Sequence, residues 1–204
     1  TGLIVPIGEA VLEEACRQAK GWQERWPSDP PALCVNLSAR QFKEPGLAHS
    51  VARVLKETGL EPSNLLLEVT ESTAMGDALT TAAVLEDILQ FGVRMVLDDF
   101  GTGHSSLSYL ERFPVDYVKI DPSFVGRLGK QPSAEMLVSG IIDLVHALGL
   151  EVIAEGVETG EQLQLLRAAG CDLAQGYLFS KPIRGEEILK ALSTARQQNV
   201  LSSN

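Results

Sequence analysis

One phrase recurs through this chain: an amphipathic helix, a single glycine, then a short apolar strand. It occurs at Gly59, Gly92, Gly149 and Gly170. Glycine suits the left-handed residue that ends a helix. Helices alternating with strands at a spacing of about 25–35 residues predict βα units and parallel strands. The strands at 65–69, 95–99, 116–120 and 151–154 are near-continuous apolar runs, as expected of strands covered on both faces. Two architectures satisfy this pattern, an open doubly wound sheet and a closed (β/α)8 barrel. No GxGxxG follows the first strand, which counts against a nucleotide-binding open sheet.

Apolar spacing predicts helices over 8–26, 78–91, 134–148 and 186–197, one from Leu47 to Gly59, and a short one over 105–112. Asp121-Pro122 reads as an N-cap with proline at the first helical position. Thr159 and Gln162 form a capping-box pattern for a helix reaching Ala169. Trp22 and Trp26 fall on the apolar stripe of the first helix and are expected to pack in the core. Further strands are expected at 32–37 and 172–175, with 177–179 a candidate seventh, where a closed barrel wants eight.

With 204 residues and 45% hydrophobic content, residues 1–204 are expected to form a single domain around one core. A net charge of -10 argues against a basic face for long nucleic acid, though not against a small phosphorylated ligand bridged by metal. Cys16, Cys34 and Cys171 contain no CxxC pair and read as reduced, mostly buried thiols of a cytoplasmic protein. No apolar run approaches ~18 residues, so direct membrane contact by this segment is not expected. The first residue is Thr1 rather than Met, which suggests a piece of something longer.

The polar residues are placed with more order than composition requires. Asn36 ends the first strand, and Glu68 the second, with Glu71 just beyond. Asp98 and Asp99 end the third. Lys119 lies near the end of the fourth, Glu155 ends the fifth with Glu158 three places on, and Gln175 ends the sixth. In a (β/α)8 barrel these ends converge on the face where active sites lie. Any one of them can be a cap or a solvated loop group, but a succession at the same topological position points to a site. Oxygen donors without a His or Cys cluster suit Mg²⁺ or Mn²⁺ rather than Zn²⁺. Adjacent Asp98 and Asp99 could serve two ions of a hydrolytic site; the alternative is that one caps a helix and the other faces water. Lys119 either stabilises developing charge or forms a structural ion pair. His104, in the turn after the Asp pair, either approaches substrate or is a plain loop residue.

The same residues carry a family resemblance. VNLSARQF at 35–42, LEVTES at 67–72, LDDFGTGHSSLSYL at 97–110, VKID at 118–121, AEGVET at 154–159 and QGYLFSKP at 175–182 resemble the EAL-domain family. The resemblance implies a bacterial phosphodiesterase that hydrolyses cyclic-di-GMP to linear pGpG, on a TIM-type barrel with one antiparallel strand. It implies metal ligation by Asn36, Glu68, Asp98, Asp99 and Glu155, with Lys119 and Glu155 at the catalytic water. Gln175 would contact the dinucleotide, Glu71 would brace the loop after Asp99, and Glu158 would support the site. Phe100, Gly101, Thr102 and Gly103 resemble part of the segment that couples dimerisation to the metal site in relatives, so the resemblance implies a homodimer, with sensory or cyclase domains elsewhere in a parent protein. The Glu-Ala-Leu signature itself is absent from this chain. The expectation is therefore an EAL-type domain without its first strand. A non-catalytic module binding cyclic-di-GMP or a protein is the alternative. An enolase-type barrel would want a Lys-x-Lys pair, whereas Lys119 stands alone.

Overall fold

The computed structural model describes residues 2–76, 78–101, 110 and 113–194. The strands are β1 (Leu33–Asn36), β2 (Leu65–Thr70), β3 (Arg94–Phe100), β4 (Tyr117–Ile120), β5 (Glu151–Ala154) and β6 (Leu173–Ala174). Between and around them run α1 (Ile4–Arg25), α2 (Leu47–Thr58), α3 (Glu71–Gly76), α4 (Ala78–Leu89), α5 (Pro122–Val125), α6 (Pro132–Ala147) and α7 (Gly160–Ala168). Helices at the expected glycines end in the left-handed conformation, with φ of 69° at Gly59, 84° at Gly92, 77° at Gly149 and 81° at Gly170.

The sheet order is β1-β2-β3-β4-β5-β6, and all five pairings between neighbours are parallel. This monotonic order decides between the two architectures. A doubly wound sheet reverses its strand order at a switch point, whereas a barrel adds each strand beside the last. The described strands thus form the greater part of a TIM-type barrel, open between β1 and β6.

Each strand has two faces. Leu65, Leu67, Met95, Leu97, Val118, Ile120, Val152 and Ala154 lie in the large core beneath the helices. Leu66, Val96, Tyr117 and Ile153 form a separate, smaller cluster on the opposite, inner face. The guanidinium of Arg94 sits over the Tyr117 ring and hydrogen-bonds its hydroxyl, closing that cluster at the N-terminal end of the strands. One device fixes strand ends twice. Asp116 Oδ2 accepts the Met95 amide at 2.7 Å, and Asp172 Oδ2 accepts the Val152 amide at 2.8 Å. In each case an aspartate just before one strand pins the start of its neighbour.

Some expectations differ from the structure. Residues 177–179 are a turn rather than a strand: the Phe179 amide returns to Gly176 O, and the Leu178 amide donates to Val157 O. Here the chain crosses the loop after β5 instead of running beside β6. The closing helix begins with a 3-10 turn at Gly185–Glu187 and continues over 188–194. Helix α3 was not anticipated; Thr70 Oγ1 accepts the Thr73 amide and starts it directly from the end of β2. Of the three cysteines only Cys16 is buried, while Cys171 is half-buried and Cys34 exposed. Cys34 is exposed because it lies on the inner face of edge strand β1. Trp22 is half-buried, packs on the core and donates from Nε1 to Gly185 O at 3.1 Å. The short helix expected over 105–112 lies outside the described residues apart from Leu110. Among the described residues no helix is long and apolar enough to cross a membrane.

Asp172 also receives His146 Nε2 of α6 at 2.7 Å. Burial alone would raise its pKa, but the hydrogen bonds from His146 and the Val152 amide outweigh this and hold it below the ordinary 3.8. A depressed folded-state pKa stabilises the fold above the unfolded value and loses that contribution as pH falls through the folded one. Asp172→Asn is therefore expected to lower Tm at pH 7 by about 2–4 °C, the scale of ~1 kcal/mol in a chain this size. The gap should narrow below about pH 4. A gap unchanged between pH 7 and pH 3 in thermal melts would refute this account.

Candidate active site

Parallel pairing brings the C-terminal strand ends together, with one register shift, between β3 and β4. Asn36 is the register partner of Glu68, Thr70 of Asp98, and Ile120 of Ala154, the residue before Glu155. Side chains two apart share a face. Glu68 therefore follows Leu66 on the inner face, Asp98 follows Val96, Lys119 follows Tyr117 and Glu155 follows Ile153.

Lys119 is the centre of the arrangement and is only 3% exposed. Its Nζ lies 3.3 Å from Glu68 Oε1, 3.4 Å from Asp98 Oδ1 and 3.4 Å from Glu155 Oε1. Burial works against the ammonium, yet the carboxylates of Glu68, Asp98 and Glu155 outweigh it and hold the lysine pKa above its ordinary value. Three acids face one cation, and the excess negative charge shows in the neighbours. The Glu155 carboxyl is raised, first by burial and then by Asp98 and Glu68, with Lys119 opposing. Asp99 is raised by burial, then by Asp98 and Asp121.

Asp99 has φ of 59°, which among the described non-glycine residues is the one positive value. The pairing between β3 and β4 shifts between Leu97 and Phe100. In a regular strand Asp99 would point under the helices and Phe100 into the barrel. The irregularity reverses this: Phe100 is buried in the outer core, and Asp99 stays within electrostatic reach of Asp98 and Lys119. Asparagine and aspartate are the side chains that best tolerate such a backbone. The segment is held from outside the cluster, since the buried Glu71 accepts the Gly101 amide on Oε2 at 3.1 Å.

Gln175 is exposed, and its backbone is fixed at both ends: its amide donates to Ala154 O at 2.8 Å, and its carbonyl accepts the Val157 amide at 3.0 Å. Glu158 is exposed as well, and its amide donates to Gln162 Oε1 at 2.8 Å. Asn36 is exposed on the edge strand. Thr102, Gly103 and His104 lie outside the described residues. Asp121 is expected both as a cap and as a polar group two places beyond Lys119 at the end of the fourth strand. It does cap α5, accepting the Ser123 amide at 2.7 Å, and its charge also bears on Asp99. Its position two residues beyond Lys119 was the available signal.

Asn36, Glu68, Asp98, Asp99 and Glu155 offer oxygen donors alone, a set that fits a hard divalent cation. Among the described residues no three His, Cys, Asp or Glu side chains are already gathered around one ion-sized point. Lys119 Nζ stands where Glu68, Asp98 and Glu155 would meet. The donors fit in chemistry and in local charge.

The EAL domain model matches residues 1–182. The chain belongs to the EAL domain family. It is 46% identical over 193 residues to the bifunctional diguanylate cyclase/cyclic di-GMP phosphodiesterase MucR of Pseudomonas aeruginosa, covering 95% of this chain and 28% of MucR. A solved PaMucR phosphodiesterase in complex with c-di-GMP superposes with a TM-score of 0.87 at 47% identity, over 92% of this chain and 76% of that one. The manganese/cy-diGMP complex of Klebsiella pneumoniae BlrP1 superposes at 0.75 with 30% identity, over 87% and 45%. The strand-end acids of this EAL domain therefore lie in a fold seen elsewhere with dinucleotide and metal.

Replacing Lys119 by Met leaves its carboxylates buried without their cation. Truncating one member of a buried ion cluster costs about 3–5 kcal/mol. Urea melts are expected to show that loss, and millimolar Mn²⁺ should recover more stability in the variant than in the unaltered chain. Unchanged stability without added cation would contradict the charge arrangement described here.

Proposed function

We propose that this EAL domain is a metal-dependent phosphodiesterase that hydrolyses cyclic-di-GMP to linear pGpG. The observation that carries the reading is the convergence of Glu68, Asp98 and Glu155 on Lys119 at the C-terminal ends of successive parallel strands. The likeness to a phosphodiesterase solved with c-di-GMP supports the choice of substrate. The domain is taken as residues 1–204, cytoplasmic, working as a homodimer beside sensory or cyclase domains of a longer protein.

In this reading Asn36, Glu68, Asp98, Asp99 and Glu155 hold two Mg²⁺ or Mn²⁺ ions. Such ions, when bound, polarise phosphoryl oxygens and lower the pKa of water. Glu155, with its carboxyl raised above the ordinary range, is suited to take the proton of the attacking water. Lys119 keeps its charge in a buried setting and counters the negative charge that builds at phosphorus. Gln175 contacts the dinucleotide, and Glu71 keeps the segment after Asp99 in place. Phe100 to Gly103 links the site to the dimer contact, and Glu158 supports it.

A second reading, a module that binds cyclic-di-GMP without cleaving it, draws on the position of Lys119 at the meeting point of the acids and on the sheet left open between β1 and β6 among the described residues. Incubation with cyclic-di-GMP and Mn²⁺, followed by chromatography, separates the two. The phosphodiesterase yields pGpG, stops with EDTA and resumes with Mn²⁺. Asp98→Asn is expected to lower turnover at least about 100-fold. Tight binding with no pGpG would favour the second reading.

A further inference from the structure

The short helix α5 touches both acid-bearing loops. It follows β4 directly, beginning three residues after Lys119. On one side its Phe124 ring lies against Gly101: a Cβ built on that glycine would be 2.9 Å from Phe124 Cε2. On the other side Pro122 lies against Gly156, where a Cβ would be 2.7 Å from Pro122 Cβ. Gly101 comes two residues after Asp99, and Gly156 immediately follows Glu155. Both glycines have positive φ, 94° and 75°, so each loop turns sharply where it meets the helix.

The helix is itself held firmly. Asp121 caps its start. The buried side chain of Gln162 donates from Nε2 to Val125 O at 3.2 Å, while its Oε1 accepts the amides of Glu158 and Thr159 at 2.8 and 3.0 Å. One amide group thus joins α5 to the loop after Glu155. The Arg127 guanidinium lies over the Phe124 ring, 5.2 Å from its centroid, and Arg127 Nε is bonded to Ser123 O. Phe124 therefore touches both Gly101 and Arg127.

We infer that Phe124 and Pro122 are positioning residues, a spacer that sets the separation of the Asp98-Asp99 turn from Glu155 and so the geometry of the metal site. The inference rests on the phosphodiesterase reading for its purpose, but not for its contacts. Loops carrying acids that repel one another need a rigid element between them, because small displacements of ligands are felt strongly in metal affinity. Close packing of ring and proline against Cβ-free backbone leaves little room for drift.

The test uses this chain with Phe124→Ala and Phe124→Leu. Two readouts are taken: amide exchange by NMR, and Mn²⁺ affinity by titration calorimetry. Phe124→Ala is expected to speed exchange of the Gly101 amide, bonded to Glu71, roughly tenfold while the Val118 amide in β4 is unchanged. Mn²⁺ affinity should fall by about tenfold. Phe124→Leu, which keeps most of the bulk, should restore most of both. The inference is overturned if Gly101 exchange stays the same in folded Phe124→Ala, or if Gly101 and Val118 speed up equally. Should the unaltered chain bind no Mn²⁺, the phosphodiesterase reading fails, and the amide readout still decides whether the spacer exists.

Discussion

The buried ammonium of Lys119 is the counter-charge that lets Glu68, Asp98 and Glu155 share the interior end of one sheet. Glu68 and Asp98 sit on different strands and Glu155 immediately follows a third, so their meeting depends on parallel pairing and on the register of each strand. The register depends on apolar strands covered by helices on one face and by Leu66, Val96, Tyr117 and Ile153 on the other. A slip of one residue in β4 would send Lys119 under the helices and Ile120 into the acid cluster. Fold and site are in this sense one constraint, because the same alternation that buries Val118 and Ile120 aims Lys119 inward.

Two adjacent aspartates cannot both obey that alternation. The structure resolves the conflict in the backbone, with Asp99 in the left-handed region and the β3–β4 register shifted beside it. Backbone in this region is unfavourable for most side chains and persists where its surroundings hold it. Here Glu71 holds the Gly101 amide, Phe124 abuts Gly101, and Phe100 is anchored in the core. Local strain at the acid pair is thus balanced by ordinary packing one and two residues away.

What the sequence revealed follows from which features are local. The helix–glycine–strand phrase is local, and it located four of the six paired strands, β2, β3, β5 and β6; short apolar runs located β1 and β4, and cap chemistry located the capping box at Thr159 and Gln162 and the cap at Asp121. The alignment of polar strand ends was legible because parallel βα units place those ends together whatever their detailed geometry. Helix and strand spacing alone fits both barrel and open sheet, which differ in strand order, a long-range property; the placement of polar strand ends and the family motifs pointed to the barrel, and the strand order bears this out. Nor could it foresee the turn at 177–179, where the apolar letters YLF resemble a strand. That segment is set by a backbone contact with Val157, and a Cβ on Gly176 would lie only 2.2 Å from Val157 O. The contact roles of Phe124 and Pro122 were equally hidden, because their partners Gly101 and Gly156 lie more than twenty residues away.

The open side between β1 and β6 gives the remaining step. Cys34 and Asn36 belong to the inner face, yet both are exposed, while the inner residues Leu66 and Glu68 of β2, Val96 of β3 and Lys119 of β4 are buried. The difference follows position in the sheet rather than polarity, for Glu68 and Lys119 are charged. Burial of the charged centre therefore comes from flanking strands on both sides, and Asn36 lacks one flank among the described residues. Of the proposed ligands, Asn36 is the one whose placement is governed by a single pairing, with β2. The acids at the centre are fixed by the sheet around them, whereas the amide at the edge depends on whatever covers that edge.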